Sequence, residues 1–368
     1  MKDPRRSALS LVRPHLLDLA PYEAVDPPEV LAARAGIPES AVVKLNANEN
    51  PYGPSPKVAE ALAHLGRAHI YPDPRQTAMR EAVGAHVGLD PSHIVVGNGS
   101  DEVIDLLFRA VLGPGDAIID SVPTFGMYSF VAHVCGGRTV AVERESSFGV
   151  DVERVLSTAK SEGAKVLVIA SPNNPTGNAT PLADVERLLA AGCLVIVDEA
   201  YHEFGGATAA ELVPVHPNLA VLRTMSKWAG LAGLRVGYGL MAPELADLLL
   251  RAKPPYNVSQ AAEAALLASL ADADTLHERA GWLIDERSRM AGFMSAMDGV
   301  TLWPSDANFI LCQVGEGRGA AVYDSLARQG VFVRYFRGGR LADFLRISVG
   351  RPEETDRFIE AFTVALRD

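Results

Sequence analysis

Lys227 stands in TMSKWAGLAGLRVGYG (224–239), among Ser, Gly and apolar residues directly after a β-branched run. An amine in such a setting is desolvated and loses its proton readily enough to form a Schiff base with a carbonyl. Ser226 and Arg235 in the same segment offer a hydroxyl and a guanidinium suited to a phosphate. Taken alone, Lys227 reads better as a solvated loop lysine. The chemical reading gains weight because three further polar segments precede it in the chain, each at a strand end or the start of a helix.

One is DEAYHEF (198–204), where Asp198 comes after four apolar residues. A carboxylate there costs energy unless it meets a cation or a donor. A protonated ring nitrogen would meet that need, and so would a structural salt bridge. SPNNPTG (171–177) places Asn173 and Asn174 just after the apolar run VLVIA. Ligands of open α/β sheets gather at such carboxyl ends, although the composition also suits a plain turn. In GNGSDEVIDLLFRAVLGPG (97–115), Gly97 and Gly99 loosen the backbone, Ser100 suits a cap, and Asp101 and Glu102 suit a first turn. Ile104, Leu107, Phe108 and Val111 fall at helical spacing. The spacing predicts a helix from near Ser100 whose exposed N–H groups form an anion site, or simply an ordinary capped helix.

The frame that would position these segments is α/β. Short β-branched runs recur at 166–170, 194–198, 220–224 and 234–240, with a helical stretch Pro181–Ala191 between the first two, as in a βαβ crossover on a buried parallel sheet. FILCQV (309–314), GVFVRYF (330–336) and FLRISVG (344–350) are spaced by longer helical segments and suggest a smaller second domain. Residues 259–300 read as helical and as a bridge between domains, and residues 1 to about 45 as an irregular arm. A chain of 368 residues favours two domains.

Cys135, Cys193 and Cys312 lie far apart among apolar neighbours, which points to neither a disulfide framework nor a metal site. A net charge of -11 repels polyanions, so nucleic acid is not an expected partner. No apolar run is long enough to cross a bilayer. Lys2, Arg5 and Arg6 open the chain, but Pro14, His15 and Asp18 interrupt the apolar stretch after them, so no secretory signal is expected and the protein reads as cytoplasmic.

KLNANENPYGPSP (44–56), YPDP (71–74), GNGSDE, PTFGMY (123–128), SPNNPTG, DEAY, TMSK, GLRVGY, PYNVS (255–259), Asn308–Phe309 and LRISVG (345–350) together resemble the fold type I pyridoxal-phosphate enzymes, and within them the histidinol-phosphate aminotransferases. The resemblance spans nearly the whole chain in family order. It implies an arm over 1–45, a large cofactor-binding domain over 46–258 with a mostly parallel central sheet flanked by helices, and a smaller α+β domain over 259–368.

It further implies pyridoxal 5′-phosphate bound covalently to Lys227, which would also carry the proton between substrate and cofactor. Asp198 would hold the pyridine nitrogen protonated, Asn174 and Tyr201 would hydrogen-bond the phenolic oxygen, and Phe125 would stack on the ring. Many relatives carry Tyr where Phe125 stands; Phe keeps the stacking and removes a hydroxyl. Gly99, Ser100, Asp101, Ser226 and Arg235 would surround the phosphate, with Tyr71 reaching it from a second subunit of a homodimer. The Asp101 carboxylate would repel a phosphate, which favours its backbone N–H as the contact.

Arg346, Arg334 and Tyr22 would hold the substrate, with Asn308 and Tyr256 as secondary candidates. Arg334 and Arg337 also fit a solvated strand face, whereas Arg346 sits inside an apolar strand where an unpaired guanidinium is costly. The implied reaction is transamination between L-histidinol phosphate and 2-oxoglutarate. Rival readings are an aromatic amino-acid aminotransferase, a phosphothreonine decarboxylase, and a non-catalytic effector-binding domain; the last is disfavoured by the acidic charge and by the roughly 45 residues ahead of the first block.

Overall fold

Aliphatic and β-branched runs form two sheets in the computed structural model of the chain, which describes residues 7–22 and 24–367. Lys2, Arg5 and Arg6, weighed above as the start of a leader, lie outside the described residues. In chain order the strands are β1 (Val43–Leu45), β2 (Ile94–Gly97), β3 (Ala117–Val122), β4 (Arg138–Glu143), β5 (Val166–Ala170), β6 (Leu194–Asp198), β7 (Leu219–Thr224), β8 (Gly237–Met241), β9 (Thr301–Leu302), β10 (Phe309–Gln313), β11 (Val331–Tyr335) and β12 (Phe344–Ser348).

The larger sheet runs β2-β8-β7-β6-β5-β3-β4 and the smaller β1-β11-β12-β10-β9. β4, β3, β5, β6 and β7 are mutually parallel, while β8 is antiparallel to both of its neighbours. β5 and β7 are buried along their whole length, as expected of parallel strands covered on both faces and written as continuous hydrophobic runs. The chain steps outward from β3 to β4 and then returns to β5 on the other side of β3. The carboxyl ends of β3 and β5 therefore flank a reversal of strand order, where open α/β sheets form a ligand crevice.

Several local readings shift. The strand expected over 234–240 starts at Gly237 and is preceded by a 3-10 turn, Ala232–Leu234. The crossover helix is α-helical over Leu182–Leu188, then tightens to 3-10 before Gly192 turns left-handed. Ser100 lies within the first turn of the helix Gly99–Val111; the cap position is Asn98, whose side chain makes no capping bond. Residues before 45 are not irregular throughout. They include the helix Pro28–Ala35, and β1 adds to the smaller sheet, parallel to β11 with Val43 opposite Val331.

The helical stretch 259–300 divides into Gln260–Leu270, capped by Ser259, and Ala273–Ser295. Arg287 on the second helix donates to the carbonyls of Phe204 and Ala307, one beyond β6 and the other just before β10. This single guanidinium ties segments from the two sheets together. The three cysteines are free. Among the described residues no helix is long and apolar enough to cross a membrane, and no cluster of His, Cys, Asp and Glu has a metal-binding arrangement.

Candidate active site

A cavity of about 210 Å³ opens at the carboxyl ends of β5, β6 and β7, closed on one side by residues 47–48 and Arg346. Lys227 lies three residues beyond β7, after a tight turn in which the Ser226 amide donates to Thr224 Oγ1 at 3.2 Å. Gly230 lets the next loop pack on residues 53–54: its φ is +67°, and a Cβ would lie 2.6 Å from the Gly53 carbonyl carbon. Lys227 Nζ donates to the Ala47 carbonyl at 3.3 Å. Burial, helped by the nearby Arg346 cation, brings its pKa down to about 8. The amine is thus poised to act as a nucleophile and as a base near neutral pH.

Asp198 ends β6 and is 4% exposed. Tyr128 donates to its Oδ2 at 2.6 Å and the Ala200 amide to its Oδ1 at 3.0 Å. No ion pair reaches it among the described residues. Burial pushes its pKa up to about 6 despite both donors. The salt bridge considered for this segment belongs instead to its neighbour: Glu199 pairs with Arg223 at 2.9 Å, both buried. Asp198 is left as a buried carboxylate still lacking a cation.

The helix Gly99–Val111 points its N-terminus at the opposite wall. Ser100, Asp101, Ser226 and Arg235 line the cavity there. Arg235 adopts left-handed backbone, φ +51°, and its Nη2 meets Asp101 Oδ2 at 2.9 Å, with Nη1 3.5 Å from Ser226 Oγ. A Cβ at Gly99 would sit 2.7 Å from Arg235 Nη2, so glycine leaves room for the guanidinium over the helix start. The Asp101 side chain holds Arg235, which leaves the amide dipoles free to face an anion.

Arg346, 7% exposed, projects from β12. Its Nη1 donates to Asn174 Oδ1 at 2.5 Å and its Nη2 to the Asn46 carbonyl at 2.8 Å, while Nε is buried and has no hydrogen-bond partner among the described residues. Arg334 stands opposite Arg346 in the β11–β12 register. Tyr22 lines the cavity with its ring edge-on to Phe125 at 6.1 Å. Burial raises the Tyr22 phenol pKa, opposed by the charges of Arg334 and Arg346. Tyr201 lines the floor and accepts from Asn48 Nδ2 at 3.0 Å.

Some expected residues lie elsewhere. Tyr71 is 76% exposed and stacks on Tyr256 at 4.4 Å, away from this cavity. Asn308 is buried beneath the site, donating to the Asn48 carbonyl at 3.1 Å. Arg337 is exposed beyond β11. Asn48, Tyr128 and Thr224 line the cavity but were not singled out from the sequence. Tyr128 falls in PTFGMY and Asn48 in KLNANEN, yet nothing local marks either one; only their long-range partners do.

These features fit pyridoxal phosphate. A buried carboxylate without a cation matches a protonated ring nitrogen, and a helix N-terminus with two hydroxyls and a guanidinium matches a phosphate. A buried lysine of lowered pKa matches a carbonyl, and the orphaned Nε of Arg346 leaves a charged donor for a substrate anion.

The family model "Aminotransferase class I and II" matches residues 40–362. The chain is 48% identical over 364 residues to the histidinol-phosphate aminotransferase of Roseiflexus castenholzii, covering 96% of this chain and 98% of that one. It is 44% identical to the chloroplastic histidinol-phosphate aminotransferase 1 of Arabidopsis thaliana, covering 95% of this chain and 85% of that one. The crystal structure of histidinol-phosphate aminotransferase from Sinorhizobium meliloti in complex with pyridoxal-5′-phosphate superposes with a TM-score of 0.89, at 28% identity, over 98% of this chain and 99% of that one. With full-length agreement in sequence, fold and cavity chemistry, the chain belongs to the class I and II aminotransferases, and within them to the histidinol-phosphate aminotransferase family.

Proposed function

We propose that the protein is a pyridoxal-phosphate aminotransferase that moves the amino group between L-histidinol phosphate and 2-oxoglutarate, giving imidazole acetol phosphate and L-glutamate in histidine biosynthesis. The observation that carries the chemistry is the buried Lys227 amine of lowered pKa, set between a phosphate-type wall and the cation-free carboxylate of Asp198. When bound, the cofactor supplies an electron sink for the charge left at the substrate Cα.

Lys227 holds the cofactor covalently, and its freed amine takes the proton from the substrate Cα. Asp198 keeps a proton on the ring nitrogen. Asn174 and Tyr201 donate to the phenolic oxygen, and Phe125 packs on the ring face. The amides of Gly99, Ser100 and Asp101, with Ser226 and Arg235, bind the phosphate. Arg346 and Arg334 bind the substrate anion with Tyr22, while Asn308 braces the Asn48 carbonyl beneath the site.

The exposed Tyr71–Tyr256 stack, beside the half-exposed Ile70, supports a homodimer in which Tyr71 reaches the phosphate of the second copy. We read the larger sheet as the core of a cofactor domain over 46–258 and the smaller as that of a domain over 259–368, with residues 1–45 as an arm that nevertheless lends β1 to the smaller sheet.

The deciding experiment compares kcat/KM for histidinol phosphate and phenylalanine with the unmodified enzyme. Preference for histidinol phosphate upholds the assignment. Faster reaction of phenylalanine makes the enzyme an aromatic amino-acid aminotransferase, and release of CO₂ makes it a decarboxylase.

A further inference from the structure

We propose that Asn48, locked by Ser348, is a positioning residue that keeps the Tyr201 hydroxyl hydrogen aimed into the cavity. Asn48 is 1% exposed and adopts left-handed backbone, φ +54°. Its backbone amide donates to Ser348 Oγ at 2.9 Å, and the Ser348 hydroxyl donates back to Asn48 Oδ1 at 2.8 Å. With Oδ1 thus engaged, the side chain presents Nδ2 to Tyr201 and donates to its Oη at 3.0 Å. A phenol that accepts there keeps its own hydrogen for another partner. Tyr201 lines the cavity, so that partner is an acceptor within it.

Ser348 lies two residues beyond Arg346 on β12, on the same face of the strand. The strand that carries the substrate-anion guanidinium also sets the donor state of Tyr201. One hydrogen-bond chain, Ser348 to Asn48 to Tyr201, joins the smaller sheet to the end of β6.

The inference rests on the reading that Tyr201 donates to the phenolic oxygen of the cofactor. A donor to the anionic form of an acid lowers that acid's pKa. Loss of the donor raises the pKa of the bound cofactor's visible absorbance band, by about one unit for a hydrogen bond to a charged acceptor. The experiment is a spectroscopic pH titration of the loaded protein for the wild type and for Tyr201→Phe, Asn48→Asp, Ser348→Ala and the Asn48→Asp/Tyr201→Phe double variant.

Tyr201→Phe is expected to raise the pKa. Asn48→Asp, which replaces a donor by an acceptor and draws the phenol hydrogen away, is expected to raise it similarly. The double variant should rise no further than Tyr201→Phe. Ser348→Ala, which leaves Asn48 in place but unlocks its amide, should give a smaller rise and remains informative if Asn48→Asp does not fold. No shift in Tyr201→Phe overturns the underlying reading of Tyr201. A shift there with none in Asn48→Asp or Ser348→Ala, or fully additive shifts in the double variant, overturns the positioning role alone.

Discussion

Tyr128 Oη lies 2.6 Å from Asp198 Oδ2, a hydrogen bond between two buried side chains 70 residues apart in the chain. The bond fixes the orientation of the carboxylate without supplying a positive charge, and this leaves the apoprotein with an electrostatic cost that a protonated ring nitrogen bound beside Asp198 would relieve.

That cost is measurable. The folded-state pKa of Asp198 is raised from 3.8 to about 6, so the folded protein holds a proton that the unfolded chain releases between those values. The penalty is absent below pH 4, grows as pH rises, and is fully present above pH 6. Asp198→Asn should therefore stabilise the cofactor-free protein at pH 8 by about 3 kcal/mol, a Tm gain of a few degrees that shrinks as pH falls towards 5. Differential scanning calorimetry of apo wild type and variant checks this; a gain independent of pH would contradict it.

The same substitution should cripple the loaded enzyme. With the negative partner gone, the ring nitrogen loses its proton, and we expect kcat to fall by about 10³-fold, the scale on which a preorganised electrostatic partner acts. Steady-state kinetics at saturating cofactor measure it. A near-wild-type Asp198→Asn enzyme would remove Asp198 from the ring nitrogen.

Borohydride treatment of the yellow protein, with peptide mapping afterwards, should place the reduced adduct on Lys227. An adduct on any other lysine, or none, would end that assignment. Lys227→Ala should still bind the cofactor through its phosphate contacts yet lose turnover. Because the Lys227 pKa is lowered to about 8, the rate at which the apoprotein reacts with an amine-directed acylating reagent at this position should rise through pH 8 and level off well below pH 10.5.

Arg346→Ala should damage both half-reactions, since glutamate must place a carboxylate where the substrate phosphate sat. Arg334→Ala should weaken histidinol phosphate more than glutamate, by about tenfold, because a dianion makes more use of a second guanidinium. Single-turnover spectra separate the half-reactions. Equal slowing with both donors would count against the phosphate-pocket reading.

Part of this site was legible in the chain itself. Asp198 ends a buried β-branched run and Lys227 follows another by three residues, and an apolar run that gives way to a charged residue announces a strand end and an unmet electrostatic need within a few residues. The helix over 99–111 was visible for the same reason, its apolar spacing being local. The N-terminal strand Val43–Leu45 was not, because three residues carry no period, and their partner Val331–Val333 lies at the far end of the chain. Tertiary structure alone decided which polar atoms meet: Asn48 with Tyr201 across 153 residues, Arg346 with Asn174 across 172, Arg235 with Asp101 across 134. Sequence chemistry states which groups must find a partner once buried. Sheet order and strand register choose that partner, and both arise from contacts between segments that no local pattern records.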